Sequence, residues 1–98
     1  MTTDAELALE PISGVTWRRR VRIRGEVHAM RLQPWAEGVV SLEVTLVDDT
    51  GGLVLVFLGR RTIPGLELGR HLEAEGMVSE SRGHLVILNP VYRLLAPT

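Results

Sequence analysis

The stretch from Ser41 to Leu58 restricts the fold more than any other part of the chain. Leu42, Val44 and Leu46 alternate with Ser41, Glu43 and Thr45, the period-2 pattern of a strand with one buried face. Leu53 to Leu58 is an unbroken apolar run, too short for a helix and bounded by glycines. Between the two runs, Val47-Asp48-Asp49-Thr50-Gly51-Gly52 carries turn chemistry. Aspartate carboxylates accept hydrogen bonds from backbone amides two residues on, and glycine takes positive φ at no steric cost. The stretch therefore predicts a β-hairpin.

The flanking sequence extends this pattern. A first strand is predicted from about Arg19 to Leu32, with Val21, Ile23, Gly25, Val27 and Ala29 on one face. Gly25 falls in mid-strand, where it marks a bend that lets one strand pair with two neighbours. Gln33 to Val39 reads as a loop around Trp35, because Pro34 and Gly38 break it. Pro64 and Gly65 leave Gly59–Gly69 room for one helical turn or a loop. A fourth strand carries Leu72, Ala74, Gly76 and Val78; a turn at Glu80-Ser81-Arg82-Gly83 leads to a fifth strand from His84, interrupted at Asn89-Pro90. The expected fold is all-β: a five-stranded Greek-key OB-fold barrel with a short helical turn or loop between strands 3 and 4. Residues 1–14 are expected to be a flexible acidic tail and lead-in, and residues 15–98 the domain. Trp17 is expected to plug one end of the core.

Composition removes several classes of function. The 98 residues contain no cysteine, so a disulfide framework, a thiolate nucleophile and cysteine-rich zinc sites are excluded. No apolar run is long enough for a membrane span and the acidic start is unlike a signal peptide, so a cytoplasmic protein with no membrane partner is expected. Net charge is −1, but Asp4, Glu6 and Glu10 stand in the first ten residues without a base. All eleven basic residues are arginine, whose guanidinium recognises phosphate and carboxylate bidentately. His28, His71 and His84 lack metal-ligand spacing, and Asp48 and Asp49 are turn formers, so neither an enzyme, a metal nor a cofactor is expected.

Arg22-Ile23-Arg24-Gly25-Glu26-Val27, the Val47–Leu53 turn, Phe57, Gly69, Gly76-Met77-Val78, Gly83 and Asn89-Pro90-Val91-Tyr92 together resemble the OB-fold nucleic-acid-binding family. They are similar to the wedge domain of RecG-type helicases and to small stand-alone actinobacterial OB proteins, over about residues 11–95. The resemblance implies binding of single-stranded or branched DNA in repair or recombination, with RNA as an alternative. No Gly-x-x-x-x-Gly-Lys-Ser/Thr loop is present, so the chain carries no motor of its own.

OB-folds bind oligonucleotides across strands 2 and 3, between the loop after strand 1 and the loop joining strands 4 and 5. The first loop holds Arg31 and Trp35, the second Arg82 and His84, and Arg60 and Arg61 begin the insert. An aromatic flanked by basic groups gives a base a stacking platform and its phosphates a counter-charge. The Arg22 and Arg24 stripe has a different expectation, a surface ladder with Glu73 and Glu75 on strand 4. The outer face of strand 3 is unusual. Val54, Val56 and Leu58, beside Val47, are expected to point outward as an apolar stripe, which suits a protein partner or a weak homodimer.

Overall fold

The structure, a computed structural model, describes residues 7–96. Residues 1–6 of the expected tail lie outside the described residues. A 3-10 turn, Ile12–Gly14, precedes six strands: β1 (Arg20–Ala36), β2 (Val39–Val47), β3 (Gly52–Leu58), β4 (His71–Ser81), β5 (His84–Leu88) and β6 (Val91–Leu94). β1 pairs antiparallel with β4 through Arg20–Glu26, then with β2 through Glu26–Ala36. β2 pairs with β3, β3 runs parallel to β5, and β5 returns antiparallel to β4. Five strands therefore form a closed ring in the order β1-β2-β3-β5-β4, the arrangement of an OB-fold, and β6 extends the sheet beyond β4.

The double pairing of β1 depends on Gly25. A Cβ there would lie 2.5 Å from the Val47 carbonyl oxygen and 2.9 Å from Leu46 Cγ, so only a glycine lets β2 approach where β1 leaves β4. A register shift between Val27 and Ala29 places a bulge just beyond and adds to the bend. Inside the ring, Val21, Ile23, Val27, Val44, Leu46, Leu55, Leu72, Val78 and Ile87 form one continuous apolar core.

The ends of the core are closed by irregular segments. Ile63 and Leu66 of the β3–β4 connection are both buried, and the connection is a loop of turns rather than a helix. Pro64, followed by Gly65 at φ 82°, accounts for this. At the other end the lead-in packs against the β2–β3 turn. Asp48 Oδ1 accepts from the Thr50 and Gly51 amides (2.7 and 3.1 Å) and the Thr50 hydroxyl (2.6 Å), while Oδ2 accepts from the Ile12 amide (2.9 Å). The Ser13 amide donates to Thr50 Oγ1 at 3.0 Å, and the turn so formed holds Ile12 and Val15 buried.

Three expectations need correction. The predicted loop 33–39 is mostly strand: β1 continues to Ala36, Pro34 pairs with Val40, and only Glu37 and Gly38 turn. Pro34 is tolerated because it sits near the hairpin tip, where a missing donor costs little. The fifth strand is two strands. Asn89 adopts φ 47°, donates its amide to the Val56 carbonyl (2.7 Å) and accepts from the Leu58 amide on its side chain (2.9 Å), which ends β5 and lets β6 start along β4. Trp17 does not plug the core: it is 54% exposed, and Ile12 and Val15 occupy the place expected for it.

Candidate nucleic-acid interface

The outer face of β2 and β3 is built from register rows. Arg31, Glu43, Val56 and Leu88 form one row across β1, β2, β3 and β5; Ala29, Thr45, Val54 and Val86 form the next. Val54 and Leu58 are half-buried, as is Val47, whereas Val56 is only 1% exposed. The expectation of a fully exposed stripe is corrected here. β3 lies between β2 and a parallel β5, so Val56 is sheltered by Glu43 on one side and Leu88 on the other. The sequence shows which face Val56 takes, but not that a strand 32 residues later pairs beside it.

The site residues expected from sequence are distributed around this face. Trp35 is half-buried at a second bulge, where the register shifts between Pro34 and Ala36 and leaves Trp35 without a ladder partner. Such bulges re-aim a side chain. Arg82, held at φ 53° in the β4–β5 turn, donates from Nη2 to the Pro34 carbonyl at 3.4 Å. Arg61 lines an open depression with Pro34, Ala36, Gly38 and Val39. Arg60 and Arg61 are exposed and make no ion pair among the described residues. Arg31 is engaged by Glu43, Nε to Oε1 at 3.2 Å, although its side chain is largely exposed. His84 lies apart from Trp35, in a depression shared with Ser13, Thr45 and Val54. The structure therefore gathers Trp35, Arg61 and Arg82 around the hairpin, with Arg31 on the same strand and His84 at the far rim.

The opposite wall, formed by the first half of β1 with β4 and β6, is a charged lattice. Glu73 is only 4% exposed and takes three guanidinium groups: Arg22 Nη2 at 2.7 Å, Arg24 Nε at 3.0 Å and Arg93 Nη2 at 3.0 Å. The hydrogen bonds from Arg24 and Arg22, joined by Arg93, outweigh desolvation and hold the Glu73 carboxyl down at about 2. Glu75, expected to share the ladder, pairs with Arg20 at 3.6 Å. Desolvation pushes the Asp48 carboxyl up, yet the hydrogen bonds from Thr50, Ile12 and Gly51 together hold it below its ordinary value.

Trp17, which the sequence suggests as a core plug, takes another place. It stands before β1 with the Arg18 guanidinium 4.5 Å from its ring centroid, and Arg18 is at φ 69°. An aromatic followed by three arginines was the available signal.

No family model matches the sequence, and no curated protein does. The fold does have solved neighbours. A domain of replication protein A from Methanococcus maripaludis superposes with a TM-score of 0.73 at 19% identity, covering 90% of this chain and 96% of that one. The replication factor A related protein from Methanobacterium thermoautotrophicum superposes with a TM-score of 0.64 at 17% identity, covering 90% and 91%. Both likenesses extend over nearly the whole domain, and they establish the fold. No helix among the described residues is long and apolar enough to cross a membrane.

Proposed function

We propose that the protein is a non-catalytic OB module that binds single-stranded nucleic acid across the outer face of β2 and β3. The observation that carries this reading is the surroundings of Trp35. Pro34, the residue before the bulged tryptophan, accepts from Arg82 on one side and shares a depression with Arg61 on the other. An aromatic side chain with exposed guanidinium groups close to its hairpin suits non-specific strand binding: stacking on any base, charge along the backbone. The solved neighbours named for replication protein A and a replication factor A related protein support a role in replication. Single-stranded DNA is the preferred ligand. Branched DNA in repair or recombination is the finer reading that the wedge-domain resemblance implies.

A fluorescence titration of the two-tryptophan protein with short single-stranded DNA and RNA, at two salt concentrations, tests the proposal. Affinity should fall with salt, by a logarithmic slope of about 0.7 per phosphate contacted. Absence of binding to either polymer at low salt would remove the reading.

A further inference from the structure

We propose that Trp17 and Arg18 form a second base-stacking position, on the opposite wall of the ring from the β2–β3 face. The inference rests on the nucleic-acid reading and extends its footprint.

Three observations meet at this place. The first is the ring itself. Trp17 is among the most exposed large apolar side chains of the described residues, it lies next to a cation stacked on it, and no buried group accounts for its position. The second is backbone geometry. Arg18 occupies the left-handed region, uncommon for a residue with a Cβ. The Arg18 amide donates to the Val78 carbonyl at 2.9 Å and the Val78 amide donates to the Arg19 carbonyl at 2.8 Å, so β4 holds the strained turn in place. Strain maintained by its surroundings marks a segment whose presentation matters.

The third observation is charge. The β1–β4 ladder that follows Trp17 and Arg18 begins with the register pair Arg20 and Met77, and the wall continues through Arg22, Arg24 and Arg93. With Arg18 and Arg19 these are six guanidinium groups; among the described residues Arg19 pairs with Glu10, Arg20 with Glu75, and Arg22, Arg24 and Arg93 with Glu73, while Arg18 stacks on Trp17. The exposed Met77 and Val91 are set among charges, Met77 opposite Arg20 and Val91 opposite Glu75. That surface suits a polyanion with separate flat bases better than the continuous apolar face of a protein helix.

A path joins the two positions. Val78, which holds Arg18, lies near the end of β4, and Arg82, which reaches the Pro34 carbonyl, lies in the β4–β5 turn that follows. They are four residues apart, about 13 Å along an extended strand. A strand stacked on Trp35 can thus cross the β4–β5 turn, pass Arg82 and arrive at Trp17.

The test is affinity against length, using oligothymidylates from about 4 to about 16 nucleotides, the range of OB-fold site sizes. Trp17→Ala should leave binding of the shortest oligomers unchanged and weaken the longest by about tenfold or more, while Trp35→Ala should weaken all lengths. Arg18→Gly is the companion variant. Glycine adopts the turn without strain, so its loss of long-oligomer affinity with undiminished thermal stability would exclude misfolding as the cause. In a Trp35→Phe background, the remaining tryptophan emission should be quenched only above a threshold length. Trp17→Ala and Arg18→Gly both matching the parent at every length, with the parent binding, would overturn the second position and leave the first intact. A parent that binds no oligomer would overturn both.

Discussion

Replacing Glu73 by glutamine tests how much the arginine lattice contributes to stability. The substitution keeps the shape of the side chain and removes the charge around which Arg22, Arg24 and Arg93 converge. In the folded protein the carboxyl sits at about 2, against an ordinary value of 4.5. Because the folded value is depressed, the contribution is fully present above the unfolded value. It is lost as pH falls from about 4.5 toward about 2. At about 1.4 kcal/mol per unit the shift corresponds to an upper figure of roughly 3 kcal/mol. The Arg24 and Arg93 side chains are more than half exposed, so solvent screens them and lowers the expected contribution to about 1–3 kcal/mol. Urea denaturation followed by circular dichroism, from pH 7 down to pH 2, reads both quantities. Glu73→Gln should lower the midpoint at pH 7 and flatten the decline of stability between pH 4.5 and 2. A variant with the parent midpoint at pH 7 and the parent acid slope would refute the reasoning, since the three guanidinium groups would then be held by something other than this charge.

Gly25→Ala should destabilise by about 1–3 kcal/mol in chemical denaturation, because the new Cβ meets the Val47 backbone rather than a movable side chain. An unchanged midpoint would count against the bend. Asp48→Ala should cost about 1–2 kcal/mol, by leaving the Ile12, Thr50 and Gly51 amides without their acceptor; parent-like stability would show that the turn holds the lead-in without the carboxylate. Since the folded Asp48 carboxyl is depressed, that contribution should be present at neutral pH and fade in acid below its ordinary value. Trp35→Ala should lose about 1–3 kcal/mol of single-strand binding, whereas Arg82→Ala should reduce the salt slope by about 0.7. Fluorescence anisotropy distinguishes the two, and a Trp35→Ala variant that binds as well as the parent would make the bulge structural.

Much of the ring was legible because its signals are local. The alternation in β2, the Asp48–Gly52 turn and the mid-strand Gly25 each specify a geometry that the structure contains. The Arg22 and Arg24 ladder was legible as well, through complementary charge on facing strands. What escaped depends on distant parts of the chain. Glu73 rather than Glu75 became the centre because Arg22 reaches past its register partner, and because β6 brings Arg93 to the other side. Val56 lost its exposure to a parallel strand that no local pattern announces. Pro34 suggested a break where the hairpin continues, so Trp35 was assigned to a loop instead of a bulge. Trp17 looked like a core plug because large aromatics usually are, and only the packing of Ile12 and Val15 shows the place to be taken.

Glu26 belongs to two ladders, opposite Val47 in one and His71 in the other, and this sets an order of events. The second half of β1 meets β2 through a short turn, while its first half pairs with distant residues such as Glu73, 51 residues from Arg22. Loop-closure entropy makes that pairing the slower one. Without β4 the Arg20–Glu26 segment lacks its ladder partner, and an unpaired strand edge is a template on which unfinished chains join one another. It carries Arg20, Arg22 and Arg24, whose β4 partners are Glu73 and Glu75. Like charge on two such edges opposes their pairing, so wherever the β4 ladder is unmade the guanidinium stripe disfavours edge-to-edge association.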